Sequence, residues 1–563
     1  MRNVCGLVLG ALLLSCLCGC PPTTGGQQGT NQGGNGNAGN LKLGGTLRLP
    51  VEISVDDPAL ASMDFSEHRL YALARAIGAS LTAPVAGKDE VAASLVTGIE
   101  PNDDGSEWSF RLQTGSDPLA LPMLLQQHFT GIANGHRNAL HAQLLDLLEG
   151  AEAVSSGSAI SISGISIADD SISFSLTRPY MQFDKWLSQP GLAIADVQIE
   201  MDNADPQRVS NLSSGGFGPW KIDRMEQDES GVTELVLLPN PDSLLGQPVA
   251  SELRFVLEPD RKKQVELFRT GRLDVAGVPG DMLEEISSDE QLSGNLHSHE
   301  TAVSLLALFD LGQDPWGDQL LQDKIGLRRS LGLSIDRESL EEENHGTLQG
   351  WGHFLPRHFS QAIPQELLNN PGYPQTAMLE EARAAQKQSD HEQGSHLPLG
   401  MDAAYLDHDK LDGPVRDLLQ FWSDISIHLQ PFPLSEEDMH KRIDLNSHEL
   451  IVFWNYPAWP DAESCLYPQL YSGLAGNGGN WSRIDNAEID DSIRQAQATA
   501  DNRLRNLHLG KLSSIIEERG LFIPAAYASP SLLINPRLHA SPGAYDFDAS
   551  LQGQDFRAVG LEQ

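Results

Sequence analysis

The sequence predicts a mixed α/β protein, and three observations carry that expectation. Two short segments alternate apolar and polar residues, several longer ones repeat apolar residues at helical spacing, and beyond the first twenty residues no apolar run is long enough to span a membrane. At 563 residues the chain holds roughly three or four domains' worth of core. Thr46-Leu47-Arg48-Leu49 opens as a strand, and a helix is expected over residues 68–80. Trp108-Ser109-Phe110-Arg111-Leu112 and Ser171-Ile172-Ser173-Phe174-Ser175-Leu176 alternate with period two, as half-buried strands do. Val415, Leu418, Leu419 and Trp422 fall at i, i+3, i+4 and i+7 behind Pro414, forming one apolar helix face. Near the end, Asp485 and Glu488 have the spacing of a capping box for a helix carrying Ile489, Ile493 and Ala496. A second helix carries Leu504, Leu507, Leu512 and Ile516 and is expected to end near Gly520.

Lys plus Arg number 38 against 77 Asp plus Glu, a formal charge of −39. That balance excludes a nucleic-acid binder, which needs a basic footprint, and disfavours electrostatic adhesion to anionic lipid. Four of the five cysteines, Cys5, Cys16, Cys18 and Cys20, crowd the N-terminus, and the fifth is Cys465. Arg2, an apolar run over residues 4–17 and then small residues make a secretory signal. Leu17-Cys18-Gly19-Cys20 resembles a bacterial lipobox, which implies removal of residues 1–19, a lipid on Cys20 and one remaining free thiol, Cys465. An ordinary cysteine-rich secretory signal is the alternative. Residues 21–45 are almost entirely Pro, Thr, Gly, Gln and Asn, the composition of a flexible tether. Gly34, Gly36 and Gly39 match a dinucleotide fingerprint in spacing only, because no strand precedes them and no helix follows.

A search for catalytic or metal chemistry is largely negative. No G-x-S-x-G elbow occurs. His391 and His396 are one residue too far apart for H-E-x-x-H, and Gly394 weakens a helix between them. His297, His299 and Glu300 form a possible ligand cluster that a short polar loop explains as well. Cys465 has no basic neighbour in sequence to activate it, so a packed, inert thiol is the simpler reading. An aromatic run stands out: Phe453-Trp454-Asn455-Tyr456-Pro457-Ala458-Trp459-Pro460-Asp461, followed by Trp481. It suits a loop lining a ligand cleft, and equally a core strand running into a packed loop.

Several phrases recur in a fixed order: Gly44-Gly45-Thr46-Leu47-Arg48-Leu49; residues 99–112; Gly216-Phe217-Gly218-Pro219-Trp220 followed by Asn240-Pro241; Phe268-Arg269-Thr270-Gly271-Arg272-Leu273-Asp274-Val275-Ala276; residues 310–316; Leu333-Ser334-Ile335-Asp336-Arg337-Glu338; and Phe522-Ile523-Pro524-Ala525-Ala526-Tyr527. Together they resemble the family 5 extracellular solute-binding proteins, the group that includes dipeptide- and oligopeptide-binding lipoproteins of ABC importers. The resemblance covers nearly all of residues 44–540. It implies an α/β, two-lobed periplasmic-binding-protein clamp, type II-like, with an additional α/β domain beside lobe I. The implied order is lobe I over 44–80, the additional domain over 81–200, lobe I again over 201–302, lobe II over 303–523 and lobe I over 524–563, after the signal (1–19) and tether (20–43).

The implied function is a non-enzymatic, lipid-anchored, extracytoplasmic binding protein, monomeric and without cofactor or metal. It would capture a peptide-like or other small solute and deliver it to an ABC permease. A clamp-fold sensor or scaffold with altered ligand binding is the alternative from another class, and an exported hydrolase using an acid pair is a third. In peptide-binding relatives an Asp in the aromatic segment holds the ligand's α-ammonium group. Alignment on Trp459 and Leu466 puts Ala458 at that place, and only a remodelled loop would let Asp461 substitute. The residues expected to bind ligand are Asn455, Tyr456, Trp459 and Asp461, with Trp454 and Trp481 nearby and Trp351 opposite.

Overall fold

Four strands make the sheet that the N-terminal strand joins. Thr46–Val51 runs parallel to Glu252–Leu257, which pairs antiparallel with Thr233–Pro239, and that strand pairs with Trp220–Gln227. Inward residues Leu47, Leu49, Leu235, Leu237, Leu253 and Phe255 are buried and form lobe I's main core with the helix Tyr71–Ile77. The computed structural model describes residues 43–562 apart from 64, 86–87, 89, 114–119, 136, 169, 203–204, 229–230, 313–315, 318–323, 390–400, 477, 541–555 and 558. The signal, Cys20, most of the tether and the His391/His396 pair therefore lie outside the described residues.

A second sheet is wholly antiparallel, ordered Val96–Pro101, Glu107–Leu112, Ser171–Ser175, Ile165–Ala168. It contains both segments expected to alternate. Trp108, Phe110, Ile172 and Phe174 point inward and meet Phe129, Phe183 and Trp186 in an aromatic core, with Phe110 edge-on to Phe174 at 5.7 Å. This sheet lies in the segment expected to form the additional domain.

Lobe II is built on six strands ordered Leu348–Gly350, Phe522–Ala528, Ser304–Phe309, Leu450–Asn455, Asp402–Leu406, Gln430–Leu434. Ser304–Phe309 is buried along its whole length, as a central strand covered on both faces must be. Phe522–Ala528 pairs antiparallel with it. The chain then returns to lobe I, where Ser531–Ile534 pairs with Val275–Val278 and Val559–Glu562 pairs with Leu43–Gly44. One continuous core joins lobe II to the additional domain, while lobe I keeps two separate cores.

Three local expectations shift. The helix expected over 68–80 is a 3-10 turn, His68–Leu70, leading into Tyr71–Ile77. The late helix is Ala487–Ala498, capped by Asn486, whose side chain accepts from the Glu488 and Ile489 amides, one residue after the expected Asp485. The final helix, Asn502–Arg519, ends as expected at Gly520 in a left-handed conformation. Its buried face is Leu509, Leu512, Ile515 and Ile516, whereas Leu504 and Leu507 are 44% and 62% exposed.

Candidate ligand cleft

The strand Leu450–Asn455 ends at a cavity of about 1140 Å3. Three regions of the fold wall it. Lobe I contributes Ser62, Met63, Ser66, Glu67 and His68; the additional domain contributes His128, Ile132, Arg137 and Asn138; lobe II contributes Met439, His440 and Ile443, residues 451–454, Tyr456, Gly478 and Trp481. Two smaller spaces of about 220 and 200 Å3 also carry His68, Trp454 and Tyr456 in their walls, so all three converge on these side chains.

The local chemistry explains why the walls meet. Asn138 caps the helix Ala139–Leu147 through the His141 amide, and its Nδ2 donates to Ser66 Oγ at 3.0 Å, tying the additional domain to lobe I. Gly478 lies against the backbone of Asn138 with φ +110°; a Cβ there would come within 2.5 Å of that backbone, so only glycine allows the approach. His68 and Tyr456 stack across the cleft with ring centroids 3.8 Å apart and planes 15° from parallel.

At the same end, Lys410 Nζ of lobe II donates to Glu52 of lobe I at 2.8 Å and to Pro259 O at 2.7 Å, while Arg261 Nε donates to Glu52 at 2.6 Å. Burial acts to raise the Glu52 carboxyl, but the Arg261 and Lys410 charges overcome it and hold the pKa at about 2. Burial, helped by the Arg69 charge, lowers His68 to about 3 and His408 to about 4, and burial lowers His128 to about 4. These rings are neutral at ordinary pH and offer hydrogen bonds rather than charge.

The expected site residues separate into two groups. Trp454, Tyr456 and Trp481 line the large cavity, and Asn455 lines the adjoining 220 Å3 space together with Ala458. Trp481 is held by its indole N–H donating to Gly478 O at 3.1 Å, and His448 Nε2 donates to the Trp481 carbonyl at 2.9 Å. The segment is thus both things its composition allowed, a core strand through Asn455 and a cleft wall at Trp454 and Tyr456.

Trp459 and Asp461 sit elsewhere than expected. Trp459 is 0% exposed in the core of lobe II. Asp461, 3% exposed, accepts from Arg505 Nη1 at 2.9 Å and Nη2 at 2.5 Å and from Lys185 Nζ of the additional domain at 2.9 Å. Burial would raise its pKa, but these two cations hold the carboxyl well below the usual range. Glu463 accepts from Arg505 at 2.9 Å and from Gln497 at 2.8 Å. Asp461 is therefore fully engaged inside the protein. Trp351 packs edge-on to His353 and Tyr527, donates its indole N–H to Leu355 O at 2.8 Å, and is not among the residues lining these cavities.

The sequence reading missed His68, His128, Asn138 and His440. Each belongs to the cleft only because segments distant in sequence meet there, and no local pattern marks them. Among the described residues no group of three or more His, Cys, Asp or Glu is placed to hold a metal ion, so His297, His299 and Glu300 do not form one. Cys465 is buried, and burial pushes its thiol up to about 12. No helix among the described residues is long and apolar enough to cross a membrane.

Comparison with known proteins gives this geometry a context. Residues 129–477 match the model described as "Bacterial extracellular solute-binding proteins, family 5 Middle". The probable D,D-dipeptide-binding periplasmic protein DdpA of Escherichia coli (strain K12) is 20% identical over 450 residues, which cover 78% of this chain and 79% of that protein. The ABC transporter-associated periplasmic binding protein DppA from Helicobacter pylori, solved with the peptide STSA, has a TM-score of 0.68 at 17% identity over 93% of this chain and 99% of its own. AgaA from A. tumefaciens R10, solved with agropinic acid, has a TM-score of 0.69 at 14% identity over 92% and 99%. The fold is the two-lobed clamp of periplasmic binding proteins.

Proposed function

We propose that this chain, which belongs to the bacterial extracellular solute-binding proteins of family 5, captures a small solute around Trp454 and Tyr456 and delivers it to an ABC permease. The observation that carries the reading is the convergence of three cavities on His68, Trp454 and Tyr456 between segments of both lobes and the additional domain. Closing such walls around a solute links its binding energy to the closed state, and no covalent chemistry is needed.

The relatives named above were described with peptides, with D,D-dipeptides and with agropinic acid, so the fold accommodates chemically different solutes. Ala458 supplies no carboxylate to the cleft, and Asp461 is held by Arg505 and Lys185. A free α-ammonium group would therefore find no carboxylate at the position where peptide-binding relatives supply one, and the carboxylate among the described residues of that space is Glu67, which already accepts from Arg69. Anchoring through a lipid on Cys20 fits the lipobox-like sequence, and replacing Cys20 with Ala should move the protein from membrane to soluble fractions.

A second reading, a sensor or scaffold that retains the clamp, draws on the contacts already made across the cleft, the Lys410–Glu52 pair and the His68–Tyr456 stack. Native mass spectrometry of the protein from its own cells decides between them. A bound small molecule, lost in Tyr456→Ala, supports capture; a chain that carries none and binds none from a solute library supports the scaffold.

A further inference from the structure

The helix Tyr71–Ile77 faces two cavities. Tyr71 lines the cleft, whereas Ala74 and Arg75, one turn on, line a second cavity of about 340 Å3 that shares no described lining residue with it. This second space lies between lobe I, which supplies Arg75, Leu244 and Leu245, and the additional domain, which supplies Ser94 and Gln113. Its volume is within the range of small-molecule sites.

The charge of its wall is unusual for this chain. With 77 acidic and 38 basic residues overall, an acid is the charged group most often expected at any wall. Here the charged residues among the described lining are two arginines, Arg75 and Arg557, and no Asp or Glu. Arg557 donates to the Leu245 carbonyl. Arg75 Nη2 donates to the Ser188 carbonyl at 2.5 Å, and among the described residues its Nε has no hydrogen-bond partner and no carboxylate pairs with it. Burial lowers the Arg75 pKa to about 10, which leaves it a cation at neutral pH. A cation partly removed from water without a counter-charge is unfavourable, and a guanidinium fork matches a carboxylate or phosphate through two parallel hydrogen bonds. Gln113 Nε2 donates to the Ser94 carbonyl in the same wall, and Ser80 Oγ donates to the Gln189 carbonyl outside it.

We propose that this cavity is a second ligand site, distinct from the solute cleft, that binds a small oxyanion, a carboxylate or a phosphate, on Arg75. An anion there sits between lobe I and the additional domain, on the helix that also carries Tyr71 into the cleft.

Isothermal titration of the purified full chain with inorganic phosphate and, separately, with succinate tests the assignment. Saturable one-to-one binding of either supports the site and tells phosphate from carboxylate. Arg75→Gln should weaken that binding at least about tenfold, and Arg75→Lys, which keeps the charge and loses the fork, should weaken it less. Tyr456→Ala should bind the anion like the parent. Without anion, Arg75→Gln should unfold at much the same temperature as the parent, because the loss of the Ser188 hydrogen bond is offset by removal of a half-buried cation that no described carboxylate pairs. Should Arg75→Gln not fold, Arg75→Lys decides: unchanged anion affinity in it overturns the site. The proposal is equally overturned by no saturable binding of either probe, by parent-like affinity in Arg75→Gln, or by loss of anion binding in Tyr456→Ala.

Discussion

Two halves of one aromatic segment have opposite fates. Residues 453–456 run off a central strand into open space, so Trp454 and Tyr456 face three cavities. Residues 459–463 turn inward, so Trp459 is fully buried and Asp461 and Glu463 are enclosed around Arg505. The difference lies in partners that the segment itself does not contain: His68 across the cleft for the first half, Arg505 and Lys185 for the second. An aromatic side chain beside a carboxylate is thus equally compatible with a ligand site and with a buried ionic joint. Here the joint fastens lobe II to the additional domain.

The contrast is broken most severely from the buried side. Asp461→Ala leaves Arg505 and Lys185 without their shared counter-ion, and loss of one partner from a buried pair costs about 3–5 kcal/mol. Trp459→Ala removes a fully buried indole and should cost a similar amount, about 3–5 kcal/mol. Urea unfolding midpoints check both, and a change under about 1 kcal/mol in either would place that residue outside the packed half. On the cleft side the effects exchange. Tyr456→Ala should lower solute affinity by about 2 kcal/mol, as loss of a central aromatic contact does, while the unfolding midpoint moves little.

The cleft histidines sharpen the comparison through pH. His68 and His408 are depressed in the folded state to about 3 and about 4 from an ordinary 6.5. Between those values and 6.5 the unfolded chain binds more protons than the folded one. Their contribution to stability is therefore complete above pH 6.5 and is lost as pH falls toward about 3. His68→Phe should flatten this acid-side decline, measured as the urea midpoint against pH; an unchanged slope would mean that the ring is not held neutral by burial. The smallest effect belongs to the joint at the cleft's end. Lys410 is about half exposed, so Lys410→Ala should change stability by less than about 1 kcal/mol. Its consequence should instead be a more open clamp, visible as a larger radius of gyration in X-ray scattering.

What the residues revealed in advance follows from where the information resides. The strands at Trp108 and Ser171 and the helix face at Val415, Leu418, Leu419 and Trp422 were legible because period two and period 3.6 are local properties, and each element buries the face it predicted, Leu419 only in part. The cap at Asn486 rather than Asp485, and the exposure of Leu504 and Leu507, escaped because neighbouring polar residues compete for a cap and a long helix is covered along only part of its length. Within the site, Trp454 and Tyr456 were readable as large amphipathic side chains in a Pro-punctuated segment. Asp461 was misplaced because its partner Arg505 lies on a helix distant in sequence, and His68 and Asn138 were invisible because their cleft neighbours lie far along the chain.

Titration of the solute that co-purifies with the protein into the parent, Tyr456→Ala and Trp351→Ala tests the cleft assignment most directly. Tyr456→Ala is expected to weaken binding at least about tenfold and Trp351→Ala, outside the cavity, to leave it unchanged. Parent-like affinity in Tyr456→Ala together with loss of binding in Trp351→Ala would place the solute somewhere other than this cleft.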